Sequence, residues 1–239
     1  MRETRKETGI GLAVTGTVDI YSSPHHPIAY SSGEARQMFV KCTPTTPSAW
    51  PEVSYAVGMP YRGPWKRLSS TLAYRTPHFR MYRDQVIRPD GNKGQYDWLE
   101  GPDQVRVAAI SNGSIVLVEQ YHYLIGRTLQ LPGGSLGDNE DSHAAAQREL
   151  REETGLLDGA WFHHGYICPL PSLSPLKVHL WSAADLRAGP TRLEATERDL
   201  RTVLLSLDAA VQATQEGRVR CAASAVLIRA VASRLADFD

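Results

Sequence analysis

The tightest constraint on this chain is a run that opens on Gly133-Gly134 and closes on Gly155, with Glu140, Arg148, Glu149, Glu152 and Glu153 between. Asp141 or Ser142 is placed to cap a helix there. Alanines and Leu150 supply its apolar side, and Gly155 sits where a helix-terminating glycine belongs, so the spacing predicts a helix through Thr154. On such a helix Glu149, Glu152 and Glu153 stand at i, i+3 and i+4 and share one face, with Cβ atoms about 5–6 Å apart. Three like charges so placed repel and weaken the helix. A divalent cation removes that repulsion, and hard carboxylate oxygens suit Mg²⁺ or Mn²⁺, which also bind phosphate oxygens. The glycine turn lets backbone approach the same centre, where a bare carbonyl offers a further ligand. The competing reading is a solvated, charged helix face. Six acids against two arginines between Asp138 and Glu153 mark a local concentration of negative charge.

Around this run the chain reads as a mixed β-sheet with helices packed on it, an α/β (α+β) class. Val105–Ile110 and Ser114–Tyr123 flank Asn112-Gly113, a strong hairpin signal. Short β-type stretches surround the turn dipeptide Asp90-Gly91, and Leu129–Leu131 is a brief strand stopped by Pro132-Gly133-Gly134. Val178–Trp181 is expected as a strand, and helices near Ser206–Glu216 and Ala222–Ala236 close the chain. Residues 43–64 carry five prolines and no periodic run, and 47–64 read as a linker.

Composition excludes several classes. Lys+Arg and Asp+Glu are both 26 in 239 residues, so no global basic excess draws the chain to nucleic acid or an anionic membrane. At 42% hydrophobic there is enough apolar material for a core, and no stretch approaches a membrane span. The charged start Met1–Glu7 is not a signal peptide. Cys42, Cys168 and Cys221 are widely spaced, lack metal-binding spacing, and fit a reducing cytosol.

The spacing G-x5-E-x7-R-E-U-x-E-E-x-G-U, with U aliphatic, is that of the Nudix box. Residues 134–156 match it at every specified position. From Trp65 to about Gly217 the chain resembles the ADP-ribose and nucleoside-diphosphate-sugar pyrophosphatases of that family, including Val118-Glu119-Gln120-Tyr121 ahead of Leu131-Pro132-Gly133-Gly134. The resemblance implies a mixed sheet sandwiched between helices over 65–239, behind a small N-terminal β-region at 65–98 that often mediates homodimerisation. It also implies a cytoplasmic, metal-dependent hydrolase of a nucleoside diphosphate linked to another moiety. Carried over by position, Glu149, Glu152, Glu153 and the Gly133 carbonyl would hold Mg²⁺ (or Mn²⁺). Arg148 would orient a box glutamate, Glu140 would support the metal waters, and Glu149 would be one possible proton acceptor.

The chain also departs from the pattern. Related enzymes place a glutamate in the loop after the box, whereas Pro171–Leu180 holds no acid. The base then comes from the box itself or from another loop, or activity is reduced. Gln130 replaces a usual glutamate and His122 a common arginine, which leaves the substrate open. Tyr74, Tyr82 and Tyr121 are candidates to stack on a base, against core or interface packing at strand positions. His143, His163, His164 and His179 have no ligand spacing, and Arg127 is a lone cation near a turn. Rival readings are a different nucleotide substrate, such as a dinucleotide or modified triphosphate, and a non-catalytic nucleotide sensor.

The N-terminus echoes the box. Arg2–Ile10 aligns on Arg148–Leu156 with six of nine positions identical. It resembles the downstream half of a second Nudix domain, running to about residue 46. Lys6 stands where a metal-binding glutamate would be, so 1–46 is expected to be catalytically inactive.

Overall fold

In a computed structural model of the chain, residues 20–23, 37–40, 63–111, 113–193 and 197–236 are described. The chain divides into two units, Met1–Ser54 and Tyr55–Asp239. In the first, β1 (Ile20–Ser23) pairs antiparallel with β2 (Gln37–Val40). The rest of the expected inactive segment 1–46, nearly all of the 47–64 linker, and Asn112 of the hairpin dipeptide lie outside the described residues.

The second unit begins with the expected small β-region. Strands β3 (Lys66–Arg75), β4 (Arg80–Ile87) and β5 (Lys93–Glu100) form an antiparallel three-stranded sheet. Gly91, at φ 81°, makes the β4–β5 turn that Asp90-Gly91 signals. Two bulges interrupt the β3–β4 register. Strand β3 and the turn after it are nearly unburied: Leu68, Leu72, Tyr74 and Phe79 are 40–58% exposed.

A six-stranded mixed sheet follows. It comprises β6 (Gln104–Ser111), β7 (Ser114–His122), β8 (Gly126–Gln130), β10 (Ala160–Ile167), β11 (Val178–Ala184) and β13 (Arg201–Ser206), in the order β10-β11-β6-β7-β13 with β8 paired to β7. Only β11 and β6 run parallel. Two short strands, β9 (Leu156–Leu157) and β12 (Arg187–Ala188), pair beside it. Strands β6 and β7 are apolar almost without alternation because helices cover both faces. Val105, Val107, Ala109 and Val116 pack under α1 (Ser142–Thr154), with Ala145, Ala146 and Leu150. Ala108, Ile115 and Leu117 pack on the other face, against α2 (Leu207–Gln215) and α3 (Ala222–Ala236). The expected sandwich of a mixed sheet between helices is present.

The helices start and stop where the sequence places their signals. Asp141 caps α1 by accepting from the Ala144 N–H, and Gly155 ends it at φ 72°. Ser206 caps α2 in the same way. Strand β8 ends one residue earlier than expected, because the Leu131 N–H leaves the ladder and donates to Ser224 Oγ of α3 at 3.0 Å. No helix among the described residues is long and apolar enough to cross a membrane.

Candidate active site

The glycine turn and α1 build one acidic site at the end of β6. Segment 132–134 runs beside β6 like a short strand: the Pro132 and Gly134 carbonyls accept from Val107 and Val105 N–H. Between them the Gly133 N–H faces the other way, toward α1. The Gly133 N–H donates to Glu153 Oε2 at 3.0 Å. Only glycine fits here. Gly133 has φ 144°, and a Cβ on it would lie 2.2 Å from the Val105 carbonyl oxygen. A Cβ on Gly134 would lie 2.4 Å from Glu149 Oε1, so that carboxylate occupies the space where a side chain would otherwise be.

Glu149 and Glu153 are buried on the α1 face that meets this turn. Glu152, more exposed, lies beside them. Burial pushes the Glu153 carboxyl from its ordinary 4.5 up to about 8, with repulsion from Glu149 adding to it, against the Gly133 N–H and the Arg106 charge. Burial also raises Glu149, against its contact with Arg148. Sequence reasoning missed a fifth acid. Glu197, from the loop before β13, adds repulsion to both Glu149 and Glu153. The approach to β13 is brought here by two bonds to the end of α1, Gly189 N–H to the Gly155 carbonyl and Arg192 N–H to the Glu152 carbonyl. Only its type and position after the post-box strand signalled it in the sequence.

Arg148 holds the acids in place. Its Nε and Nη2 grip Glu140 bidentately at 2.9 Å, Nη1 reaches Glu149 at 2.8 Å and Glu152 at 3.2 Å, and Nη2 also donates to the Ser135 carbonyl. With the Gly137 N–H, this holds the Glu140 carboxyl down at about 2. A carboxylate with a depressed value stabilises the fold above its unfolded value, near 4.5, and loses that contribution as pH falls toward 2. Arg148→Met is therefore expected to lower the melting temperature by about 3 °C at pH 7. That difference should vanish near pH 2, as read by thermal melts across pH.

Among the described residues no three His, Cys, Asp or Glu side chains converge as a ready cation cage, since Arg148 lies between Glu149 and Glu152. The donor set nevertheless fits a hard cation. It is all oxygen, two of the carboxyls are buried beside a third, and Glu149 fills a space that only glycine leaves open.

The remaining candidates are placed elsewhere. Arg127 meets Glu119 and Asp199 at the surface. His143 and His163 stack on Trp181, His179 lies 3.5 Å from Asp103, and His164 contacts Ser182. Gln130 is buried in β8, while Tyr74 and Tyr121 are largely exposed. Tyr82 stacks on Trp98 at 4.8 Å between ring centroids. Trp98 in turn lines a cavity of about 310 Å³ between the three-stranded sheet and loop 168–175, with Trp65, Asp84 and Tyr96. The Tyr96 hydroxyl ties that sheet to the loop by donating to the Ser172 carbonyl. The loop leads into β11, whose first residue pairs with Gln104 beside the glycine turn.

The chain is similar to known proteins over both sheets of the second unit. Residues 102–216 match the NUDIX domain, and residues 65–99 match the nucleoside diphosphate sugar hydrolase N-terminal domain. The chain is 34% identical over 126 residues to an ADP-ribose pyrophosphatase of Mycobacterium tuberculosis, which covers 52% of this chain and 61% of that protein. It thus spans less than two thirds of that relative's length. It is 30% identical over 139 residues to a methanol dehydrogenase activator of Bacillus methanolicus, covering 57% of this chain and 75% of that protein. In three dimensions it is similar to the crystal structure of an ADP compounds hydrolase. The TM-score is 0.66 at 18% identity, over 72% of this chain and 95% of the other, which speaks to fold alone.

Proposed function

The chain belongs to the Nudix hydrolases, of the ADP-ribose pyrophosphatase-like kind, and we propose that it hydrolyses the diphosphate of ADP-ribose or a nucleotide sugar to a nucleoside monophosphate and a sugar phosphate. The observation that carries this reading is the pairing of the buried Glu149 and Glu153 with a turn that only glycine permits.

In this reading Glu149, Glu152, Glu153 and the Gly133 carbonyl hold Mg²⁺, with Mn²⁺ as a substitute. The cation would neutralise the diphosphate and acidify water for in-line attack at phosphorus. Arg148 fixes the directions of Glu140, Glu149 and Glu152 by charge-assisted bonds. Glu197 supplies the acid that is missing from 171–180. It acts electrostatically on Glu149 and Glu153 and is the candidate to accept the proton of the attacking water. Glu197→Gln is expected to lower kcat by about 10²–10⁴ with KM little changed. An unchanged kcat would remove Glu197 from that role. The aromatic cavity is the proposed seat of the nucleobase, with Tyr96 as a ring platform in place of Tyr74 and Tyr121. The exposed apolar residues of β3 and the turn after it are proposed to be buried against a second copy of the chain, a homodimer that light scattering would detect.

A nucleotide panel with Mg²⁺ tests the substrate class: ADP-ribose, nucleotide sugars, a dinucleotide and a modified triphosphate, read by monophosphate release. Highest kcat/KM for ADP-ribose or a nucleotide sugar is expected. A dinucleotide or triphosphate leading the panel would transfer the same chemistry to that substrate. Binding without turnover of any member would leave a nucleotide sensor.

A further inference from the structure

Two residues that line the cavity of the three-stranded sheet each carry a buried polar atom without a hydrogen-bond partner among the described residues. Asp84 is 2% exposed, and its Oδ1 has no hydrogen-bond partner among the described residues. Trp98 is 8% exposed, and its indole Nε1–H is likewise unpartnered. Both residues line the cavity. They sit on adjacent strands one pair apart, since Asp84 pairs with Tyr96 and Tyr82 with Trp98, so the two side chains are diagonal neighbours. A buried acceptor and a buried donor each left unsatisfied are costly, and both are relieved by a ligand carrying a donor beside an acceptor. The walls between them are aromatic: Trp65 meets Tyr96 edge-on at 5.6 Å, and the Trp98 ring carries Tyr82 on it. A flat heteroaromatic ring fits such walls.

We infer that Asp84 and Trp98 read the hydrogen-bonding edge of the nucleobase and select the amino bases, adenine and cytosine. This rests on the reading of the cavity as the base site. On both bases an exocyclic amine stands next to a bare ring nitrogen, so the amine donates to Asp84 Oδ1 while the ring nitrogen accepts from Trp98 Nε1. Hypoxanthine, guanine and uracil present the reverse order, a carbonyl oxygen followed by a ring N–H. Held in the same orientation they set oxygen against Asp84 and N–H against the indole N–H, leaving both protein groups unpaired.

The test is calorimetric binding of AMP and IMP, which differ at this edge, to the full-length chain, its Asp84→Asn variant and its Trp98→Phe variant. The wild-type chain is expected to bind AMP at least about tenfold more tightly than IMP, one mismatched pair's worth. In Asp84→Asn, whose amide can offer either an oxygen or an N–H, the AMP-to-IMP ratio is expected to fall to about one or below. Trp98→Phe keeps a ring but removes the donor, and is expected to shrink the ratio as well. CMP against UMP should repeat the pattern. Equal binding of AMP and IMP by the wild-type chain would overturn the inference while leaving the base site in place. So would variants that weaken both nucleotides alike, the mark of a purely structural role. No binding of any of the four would overturn the base site itself. Absence of hydrolysis on the substrate panel is a separate failure, that of the proposed reaction.

Discussion

Glu153→Gln is expected to abolish turnover, by about 10³-fold or more, while making the cation-free protein more stable at alkaline pH. The two effects share one cause. Glu153 is 4% exposed, and burial carries its carboxyl up to about 8 from an ordinary 4.5. Between those values the folded chain holds a proton that the unfolded chain has released, so folding stability falls as pH rises from about 4.5 to 8 and then levels. The loss is on the order of a few kcal/mol, at about 1.4 kcal/mol per unit of difference. Gln carries no charge, and its side-chain oxygen can still accept from the Gly133 N–H. Thermal melts in chelator are therefore expected to coincide at pH 5 and to separate by several degrees at pH 9, with the variant higher. Added Mg²⁺ should raise the wild-type melting temperature and leave the variant's nearly unmoved. A variant less stable than wild type at pH 9 in chelator would contradict the burial argument.

The second large effect separates two adjacent glycines. Gly133→Ala places a Cβ 2.2 Å from a backbone carbonyl of β6, at a φ of 144° that side chains rarely adopt. Neither atom can yield without parting the turn from the sheet, so a loss of about 3 kcal/mol or more is expected, with a melting temperature lower by about 10 °C. Gly134→Ala instead places its Cβ against a side chain, the Glu149 carboxylate, at 2.4 Å. That carboxylate can swing aside at small cost to the fold, but it leaves the position from which it would hold a cation. Near-native melting with kcat lowered by about 10² is expected. Full activity in Gly134→Ala would show that the Glu149 position is not needed for the chemistry.

Local signals made the acidic helix legible from sequence. Cap, apolar side and terminating glycine all lie within Asp141–Gly155, and the i, i+3, i+4 spacing fixes which face the glutamates share. The closing helices were legible for the same reason. Strand β10 was not: His163, His164 and Gly165 break its alternation, and a register shift falls between His163 and Tyr166. Strand β13 is masked by the leucines that run on into α2, where a strand and a helix share one apolar run. Glu197 escaped because its place in the site depends on the long-range return of β13 to β7, which no local pattern encodes. Asp84 reads as an ordinary acid until the sheet buries it beside a cavity, its Oδ1 without a partner among the described residues.

The most direct test of the central claim is AMP release from ADP-ribose with saturating Mg²⁺, measured side by side for the wild-type chain and Glu153→Gln. AMP and ribose phosphate appearing in equal amounts with the wild type, and at background with the variant, is the expected result. Equal rates from both proteins would contradict cation-dependent hydrolysis through Glu153, and no release from the wild type would exclude ADP-ribose as the substrate.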